Sequence, residues 1–172
     1  MRGLTDAARI RSFMRALGRE AREETTAYLT GGATAVLHGW RATTIDVDLE
    51  LVPETDELLR AIARLKDELK VNVELVSPGD FIPLPAGWQE RSLFVAREGS
   101  VSFRHFDPYS QALAKIERGH AHDVEDVRAM VDAELVEPTR LRTYFDEIEP
   151  SLYRFPAIDA RAFRAAVARS LS

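Results

Sequence analysis

Residues 44–52 constrain the fold more than any other part of the chain. Their sequence, TIDVDLELV, alternates between polar and apolar side chains from Thr44 to Leu51. A period of two is typical of a β-strand with one buried face, and it does not suit a helix. The polar face carries Asp46 and Asp48, whose Cα atoms would lie roughly 6–7 Å apart. The sequence therefore predicts a sheet that presents two neighbouring carboxylates.

Helix-forming patterns lie on both sides of this strand. Residues 5–25 place apolar side chains at helical spacing and begin with Thr5, a candidate N-cap. A short strand is predicted next, ending at a turn formed by Gly31 and Gly32, from which a short helix begins. Residues 54–70 form a second amphipathic helix with an apolar stripe.

The rest of the chain supplies more strands and then only helices. The sequence VNVELV at residues 71–76 alternates and predicts a strand, and residues 91–106 predict a hairpin that turns at Gly99. From Pro108 onward, helices are predicted at about 108–118, 122–133, 138–149 and 159–171.

Together these elements predict an α+β fold. We expect residues 1–107 to form a small mixed sheet flanked by helices, and residues 108–172 to form a helical part packed on that core. A chain of 172 residues is long enough to bury a sizeable core.

The composition excludes several classes of function. The chain has no cysteine, which excludes disulfides, thiolate metal sites and cysteine nucleophiles. No apolar run approaches the roughly 20 residues that span a bilayer, and the N-terminal residues lack an apolar signal segment. We therefore expect a soluble, cytoplasmic protein with no membrane partner.

The charge is distributed unevenly along the chain. The formal net charge is −5, yet residues 1–24 and residues 138–172 each hold six arginines against four acidic residues. Each end is therefore positive and the middle is strongly negative. We expect a polyanionic partner to contact the two ends.

Asp46 and Asp48 suggest a site for divalent cations. Paired carboxylates that point the same way can share Mg²⁺ ions, an arrangement that phosphoryl transfer requires. The alternative is the wet face of a half-exposed strand. Upstream, Gly31 and Gly32 would let a phosphate approach the backbone and the first amides of the following helix, although an ordinary tight turn explains them as well.

The segment GGATAVLHGWRATTIDVDLEL resembles the nucleotidyltransferase signature of the DNA polymerase β superfamily, a glycine turn followed by Asp-x-Asp. Arg41 and Thr44 resemble the Arg-x-x-Thr of the subgroup that contains the abortive-infection-type toxin nucleotidyltransferases and their bacterial relatives. The resemblance implies a polymerase β-like fold and a Mg²⁺-dependent enzyme, with Mn²⁺ as a substitute, that uses a nucleoside triphosphate. It also implies a tRNA or protein acceptor and a cognate antitoxin as partner.

The resemblance also implies roles for individual residues. In that superfamily a third carboxylate comes from a neighbouring strand, which Glu74 matches and for which Glu50 is a rival. The later segment LAKIERGHAHDVEDV is similar to a Lys-x-x-Arg and Asp-x-x-Asp pair, which would place Lys115 at the triphosphate and Asp123 near the acceptor. The implied metal ligands are Asp46, Asp48 and Glu74, and the implied nucleotide contacts are Gly31, Gly32, Thr34, Arg41, Thr44 and Lys115.

Other interpretations of these residues remain open. The acidic residues of LAKIERGHAHDVEDV would equally suit a solvated helix face beside the stripe Val124, Val127 and Val131. His120 and His122 could bind Zn²⁺ with Asp123, or could be ordinary loop and cap histidines.

One departure from the family pattern affects activity. Many active members carry Ser or Thr in or just after the glycine turn, whereas Ala33 follows Gly32 here, so that Thr34 or the backbone amides would have to substitute. Ala33 therefore motivates the alternative of an inactive nucleotide-binding or protein-interaction module. His105 and Asp107 would line the nucleotide pocket or simply end the hairpin.

Overall fold

The chain divides into two units, which the computed structural model describes over residues 3–171. The first unit comprises the chain up to Ser77 together with Ser92–His105, and the second comprises Pro78–Arg91 and the chain from Phe106 onward. No helix within residues 3–171 has both the length and the apolar character needed to cross a bilayer.

The first unit contains every strand that the structure describes. In chain order its elements are β1 (Thr5–Asp6), α1 (Ala7–Glu20), β2 (Thr25–Thr30), α2 (Gly32–His38), β3 (Thr43–Thr44), β4 (Asp46–Val52), α3 (Asp56–Glu68), β5 (Asn72–Glu74), β6 (Leu93–Glu98) and β7 (Val101–His105). The main sheet has the order β5-β4-β2-β7-β6, and β1 pairs separately with β3. The predicted α+β fold is thus confirmed, together with the hairpin β6–β7.

The main sheet is mixed. Strand β4 runs antiparallel to β2 and parallel to β5, while β2 runs parallel to β7. Because partners across a ladder point to the same face, each row of paired residues assigns its side chains to one side of the sheet. This rule fixes which polar side chains share a surface.

The alternation in β4 divides the sheet into an apolar and a polar face. Val47, Leu49 and Leu51 are buried in the same core cluster as Ile10 and Phe13 of α1. Each fully buried side chain of this size contributes about 1.5–3 kcal/mol. Burial of the apolar face therefore stabilises the fold, and the carboxylates of β4 lie on the opposite face.

Two predicted boundaries were wrong at the start of this unit. Ile45 was expected on the buried face, but it is 69% exposed because it lies between β3 and β4. The N-cap of α1 is Asp6 and not Thr5, which belongs to β1. The Asp6 carboxylate accepts a bond of 2.9 Å from the amide of Arg9. A carboxylate also suits the positive end of the helix dipole.

Gly18 of α1 packs directly against the turn of the hairpin. A Cβ atom at Gly18 would overlap the carbonyl oxygen of Glu98, a backbone atom that cannot rotate away. We expect Gly18→Ala to lower the free energy of unfolding by about 1–3 kcal/mol, measured by urea denaturation. Gly3→Ala is the matched control, because a Cβ there meets no atom within 4 Å. Equal stability of the two variants would contradict this packing.

The second unit is helical among its described residues. Its helices are α4 (Trp88–Arg91), α5 (Pro108–Arg118), α6 (Ala121–Asp132), α7 (Pro138–Ile148) and α8 (Ala160–Ser170), joined by 3-10 turns at Pro78–Asp80 and Glu149–Arg154. The four helices predicted after Pro108 are confirmed. Asp107 caps α5 with its buried carboxylate, which accepts from the amides of Tyr109 and Ser110 and binds Arg91 at 2.9 Å. Asp107 therefore has a structural role within this unit.

Candidate functional site

Three carboxylates gather at one end of the polar sheet face. Asp46 and Asp48 project from the start of β4, and the parallel pairing of β5 sets Glu74 opposite Asp48. One oxygen from each of the three lies within 4.8 Å of the others. Carboxylate oxygens at this spacing are the ligands that Mg²⁺ and Mn²⁺ prefer. The structure therefore brings together the three acids that the sequence indicated.

Asn72 is a fourth member of this cluster, and it was not predicted as a site residue. It is the ladder partner of Asp46, and its side-chain amide donates a hydrogen bond to the Asp46 carboxylate. The bond restricts the orientation of a predicted metal ligand. The spacing in the sequence could have indicated Asn72, because it precedes Glu74 by two residues and so shares its face of the strand.

The glycine turn lies directly against this cluster. Gly31 has φ = +62°, a conformation that strongly favours glycine, and a Cβ there would lie 3.1 Å from Asp48 Oδ2. A Cβ at Gly32 would overlap the hydroxyl of Thr44 and approach Arg41 Nη1 to 3.4 Å. The two glycines therefore allow the side chains of Asp48 and Thr44 to lie directly against the turn, in space that a Cβ atom would need.

Two threonines near the turn are engaged within the protein. Thr44 donates to the main-chain oxygen of Asp46 at 3.0 Å, which ties β3 to the start of β4. Thr34 is buried, and its hydroxyl lies 3.3 Å from the Leu29 oxygen and 3.0 Å from His105 Nδ1. The phosphate contact expected of Thr34 stays a prediction, and it would require these bonds to rearrange.

His105 is a buried base at the end of β7. Its ring stacks on His38 with 4.3 Å between centroids, and His38 stacks in turn on Trp40. Burial lowers the pKa of His105 to about 3, assisted by the nearby positive charges of His38 and Arg11. His105 is therefore neutral at physiological pH and supports α2 through Thr34.

This shifted pKa makes stability depend on pH. Because His105 has its ordinary pKa near 6.5 in the unfolded chain, the unfolded state gains the proton first as the pH falls. Its contribution is fully present above pH 6.5 and is lost between there and about pH 3. We expect about 1 kcal/mol of this loss between pH 7 and pH 5.5. Urea unfolding at both values should show it in the native chain and not in His105→Gln; an identical pH dependence would contradict it.

A second charged cluster lies in the helical unit. Lys115 of α5 contacts Asp126 of α6 at 2.8 Å and Asp123 at 3.8 Å. Arg118 holds both oxygens of Asp123, at 2.7 and 2.5 Å. Burial opposes the charge on Asp123, but its bonds with Arg118 lower the pKa of this carboxyl below its usual range. The cluster is therefore a network of ion pairs in which the two acids and Lys115 are buried and Arg118 is about half exposed.

The alternative of a solvated acidic face on α6 is wrong. Asp123 is 0% exposed and Asp126 is 2% exposed, whereas Val124, assigned to an apolar stripe, is 54% exposed. Lysine and arginine on α5 provide the counter-charges that make burial of the acids tolerable. The interhelical pairing buries these two acids on the same helix as the buried Val127 and Met130, and Val124 is left exposed.

A cleft of about 600 Å³ opens beside this network, between α5, α6 and α8. Lys115 and Asp123 lie at its wall, so the two residues implied by the family resemblance border a concave surface. Its apolar lining includes Ile116, Val124, Val127, Val131, Phe163 and Ala166.

The histidines at the start of α6 approach the same carboxylate. His120 Nδ1 and His122 Nε2 lie 3.9 and 3.8 Å from Asp123 oxygens, so the three residues could hold a metal ion. Asp123 is already bound by Arg118 and accepts from the amide of His120. A cation there would have to compete with these donors, which makes the carboxylates of the sheet the better ligand set.

Comparison with known proteins identifies the family of the chain. Residues 8–169 match the family described as "Nucleotidyltransferase of unknown function (DUF6036)", and the chain belongs to this family. No curated protein and no solved structure matches the chain. The α+β fold is consistent with a nucleotidyltransferase, and the family description supports nucleotidyl transfer as the general chemistry.

Proposed function

We propose that this chain is a Mg²⁺-dependent enzyme that transfers a nucleotidyl group from a nucleoside triphosphate to an acceptor hydroxyl. The observation that carries the proposal is the approach of Asp46, Asp48 and Glu74 within 4.8 Å beside the glycine turn. The donor set fits Mg²⁺ or Mn²⁺, since it offers hard oxygen ligands and leaves room for phosphate oxygens. A bound divalent ion would neutralise the charge that develops on the phosphates.

Separate residues would bind the metal and the phosphates. Asp46 and Asp48 would hold the metal, with Asn72 orienting Asp46. Gly31 and Gly32 would let the β- and γ-phosphates approach the backbone, and Arg41 would add positive charge beside them.

Glu74 would complete the metal site or act as the base toward the acceptor. The acceptor oxygen forms a bond to the α-phosphorus as the bond to the β-phosphate oxygen breaks, and pyrophosphate leaves with that electron pair. The hydroxyl proton passes to a base, a role open to Glu74 because its carboxylate is exposed at the cluster. Following the family resemblance, Lys115 would meet the triphosphate and Asp123 would help to position the acceptor.

The acceptor we propose is a tRNA or a protein, and the biological setting is a toxin with a cognate antitoxin. Both follow from the likeness of Arg41, Thr44 and the Lys115 segment to the toxin-like subgroup. The arginine-rich chain ends supply positive charge for a polyanionic acceptor.

A second candidate is a nucleotide-binding module without turnover. Its support is Ala33, which is fully buried where many active relatives carry a hydroxyl. Both candidates bind a nucleotide, and only the first transfers it.

Transfer of label from the nucleotide to an acceptor distinguishes the two candidate functions. Each of the four nucleoside triphosphates, labelled at the α-phosphate, would be incubated with the protein, Mg²⁺ and either bulk tRNA or a protein extract. We expect label in acid-insoluble material and equimolar release of pyrophosphate, both lost in Asp48→Asn. Nucleotide binding without label transfer or pyrophosphate release in any mixture would favour the inactive module.

A further inference from the structure

The polar face of the sheet carries opposite charges at its two edges. Asp46, Asp48, Glu50 and Glu74 lie on β4 and β5, whereas Arg97 and Arg104 lie on β6 and β7. Ladder pairing puts them on one face, because Glu50 pairs with Tyr28, Tyr28 with Arg104, and Arg104 with Phe94. The face therefore has an acidic half, which contains the proposed metal site, and a basic half.

We call Phe94, Arg97 and Arg104 the distal patch. Phe94 is 55% exposed, and the guanidinium of Arg104 lies over its ring at 5.7 Å. Arg97 is bound only at the surface, to Glu24 and Ser102. An exposed pair of this kind is screened by solvent and is therefore weak, so Glu24 is readily exchanged for another anion.

The distal patch lies across the sheet from the three carboxylates. Three strand intervals of about 4.8 Å place Phe94 about 14 Å from Glu50, and Asp48 lies two residues before Glu50 on the same face of β4. The preceding nucleotides of a strand whose terminal hydroxyl enters the cluster would extend across this distance.

We propose that the distal patch binds a single-stranded polynucleotide acceptor, with a base stacked on Phe94 and backbone phosphates at Arg97 and Arg104. The inference rests on the proposed function, since it assigns the acceptor of that reaction. An exposed aromatic ring beside guanidinium groups is what sequence-independent binding of single strands uses. An acidic protein segment would pair with the arginines but has no planar base for the ring.

Fluorescence anisotropy with labelled 12-nucleotide oligouridylate and oligothymidylate tests the patch without requiring catalysis. We expect Phe94→Ala to weaken binding about fivefold or more. Arg104→Gln should reduce the slope of log affinity against log salt by about one. Preference for one oligonucleotide identifies RNA or DNA as the acceptor class, and equal binding supports a single strand of either kind.

Tyr153→Ala is the matched control, because Tyr153 is 75% exposed and also has a neighbouring guanidinium, that of Arg154, 5.7 Å from its ring centroid. Unchanged oligonucleotide binding in Phe94→Ala, or an equal loss in Tyr153→Ala, would overturn the proposal. So would a loss of Mg²⁺–nucleotide binding in Phe94→Ala, because the ring would then belong to the nucleotide site. If the native chain binds Mg²⁺–nucleotide but neither oligonucleotide, the distal patch proposal fails while the proposed function stands.

Discussion

Asp48→Asn is expected to weaken binding of a Mg²⁺–nucleoside triphosphate complex by roughly 100-fold or more. Asp48 lies opposite Glu74, two residues from Asp46 and beside Gly31, so it would hold the proposed metal next to the glycine turn. Asparagine keeps the shape of the side chain and removes its charge. Loss of a second-shell partner alone reduces metal affinity about 10- to 100-fold, and loss of a direct ligand should cost at least as much. Titration calorimetry with each triphosphate and Mg²⁺ measures the effect.

Glu50→Gln is the control for this experiment. Glu50 lies two residues further along the same face of β4 and is bonded to Ser77, outside the three-carboxylate cluster. It should leave nucleotide affinity within about twofold, since it removes a charge of the same sign without removing a proposed ligand. Equal losses of nucleotide affinity in Asp48→Asn and Glu50→Gln would show that Asp48 acts only through general surface charge.

Removing Asp126 is expected to destabilise the helical unit by about 3–5 kcal/mol. Asp126→Leu leaves the buried Lys115 without its closest counter-charge, since the remaining acid, Asp123, is held by Arg118. An uncompensated buried charge costs this much, whereas removal of both charges of a pair is often nearly neutral. Thermal and urea unfolding report the change.

The double variant Lys115→Met/Asp126→Leu should recover most of the lost stability. It removes one positive and one negative charge and leaves the pair of Arg118 with Asp123 intact. A double-mutant cycle then gives the coupling energy between Lys115 and Asp126. Additive effects of the two single substitutions would show that their contact contributes nothing to folding.

The strands could be predicted because their residues obey one local rule. The alternation in residues 44–52 identified β4 and its polar face, and the same pattern identified β5 and the direction of Glu74. The sequence did not show that Glu74 lies near Asp48, because this depends on which strands are neighbours. Strand order is set by the long-range packing of the sheet. The parallel ladder between β4 and β5 supplies that missing information.

The side-chain environment was harder to predict. Val124 is exposed and Asp123 is buried because α6 pairs its acids with α5, a choice that helical periodicity does not encode. Thr34 looked like a phosphate ligand from its place after the glycines, yet its hydroxyl bonds to His105, which lies 71 residues later. The short helix α4 was missed because it follows a proline-rich loop and spans only one turn.

The position at which a divalent cation binds tests the proposed carboxylate site most directly. Titration of Mn²⁺, followed by the loss of the paramagnetic resonance signal of the free ion, would be compared for the native chain, Glu74→Gln and His122→Ala. The two variants each remove a potential ligand, one from the carboxylates of the sheet and one from the cluster at Asp123. We predict that Glu74→Gln weakens Mn²⁺ binding and that His122→Ala leaves it unchanged. Binding that is lost in His122→Ala and retained in Glu74→Gln would contradict the carboxylate site.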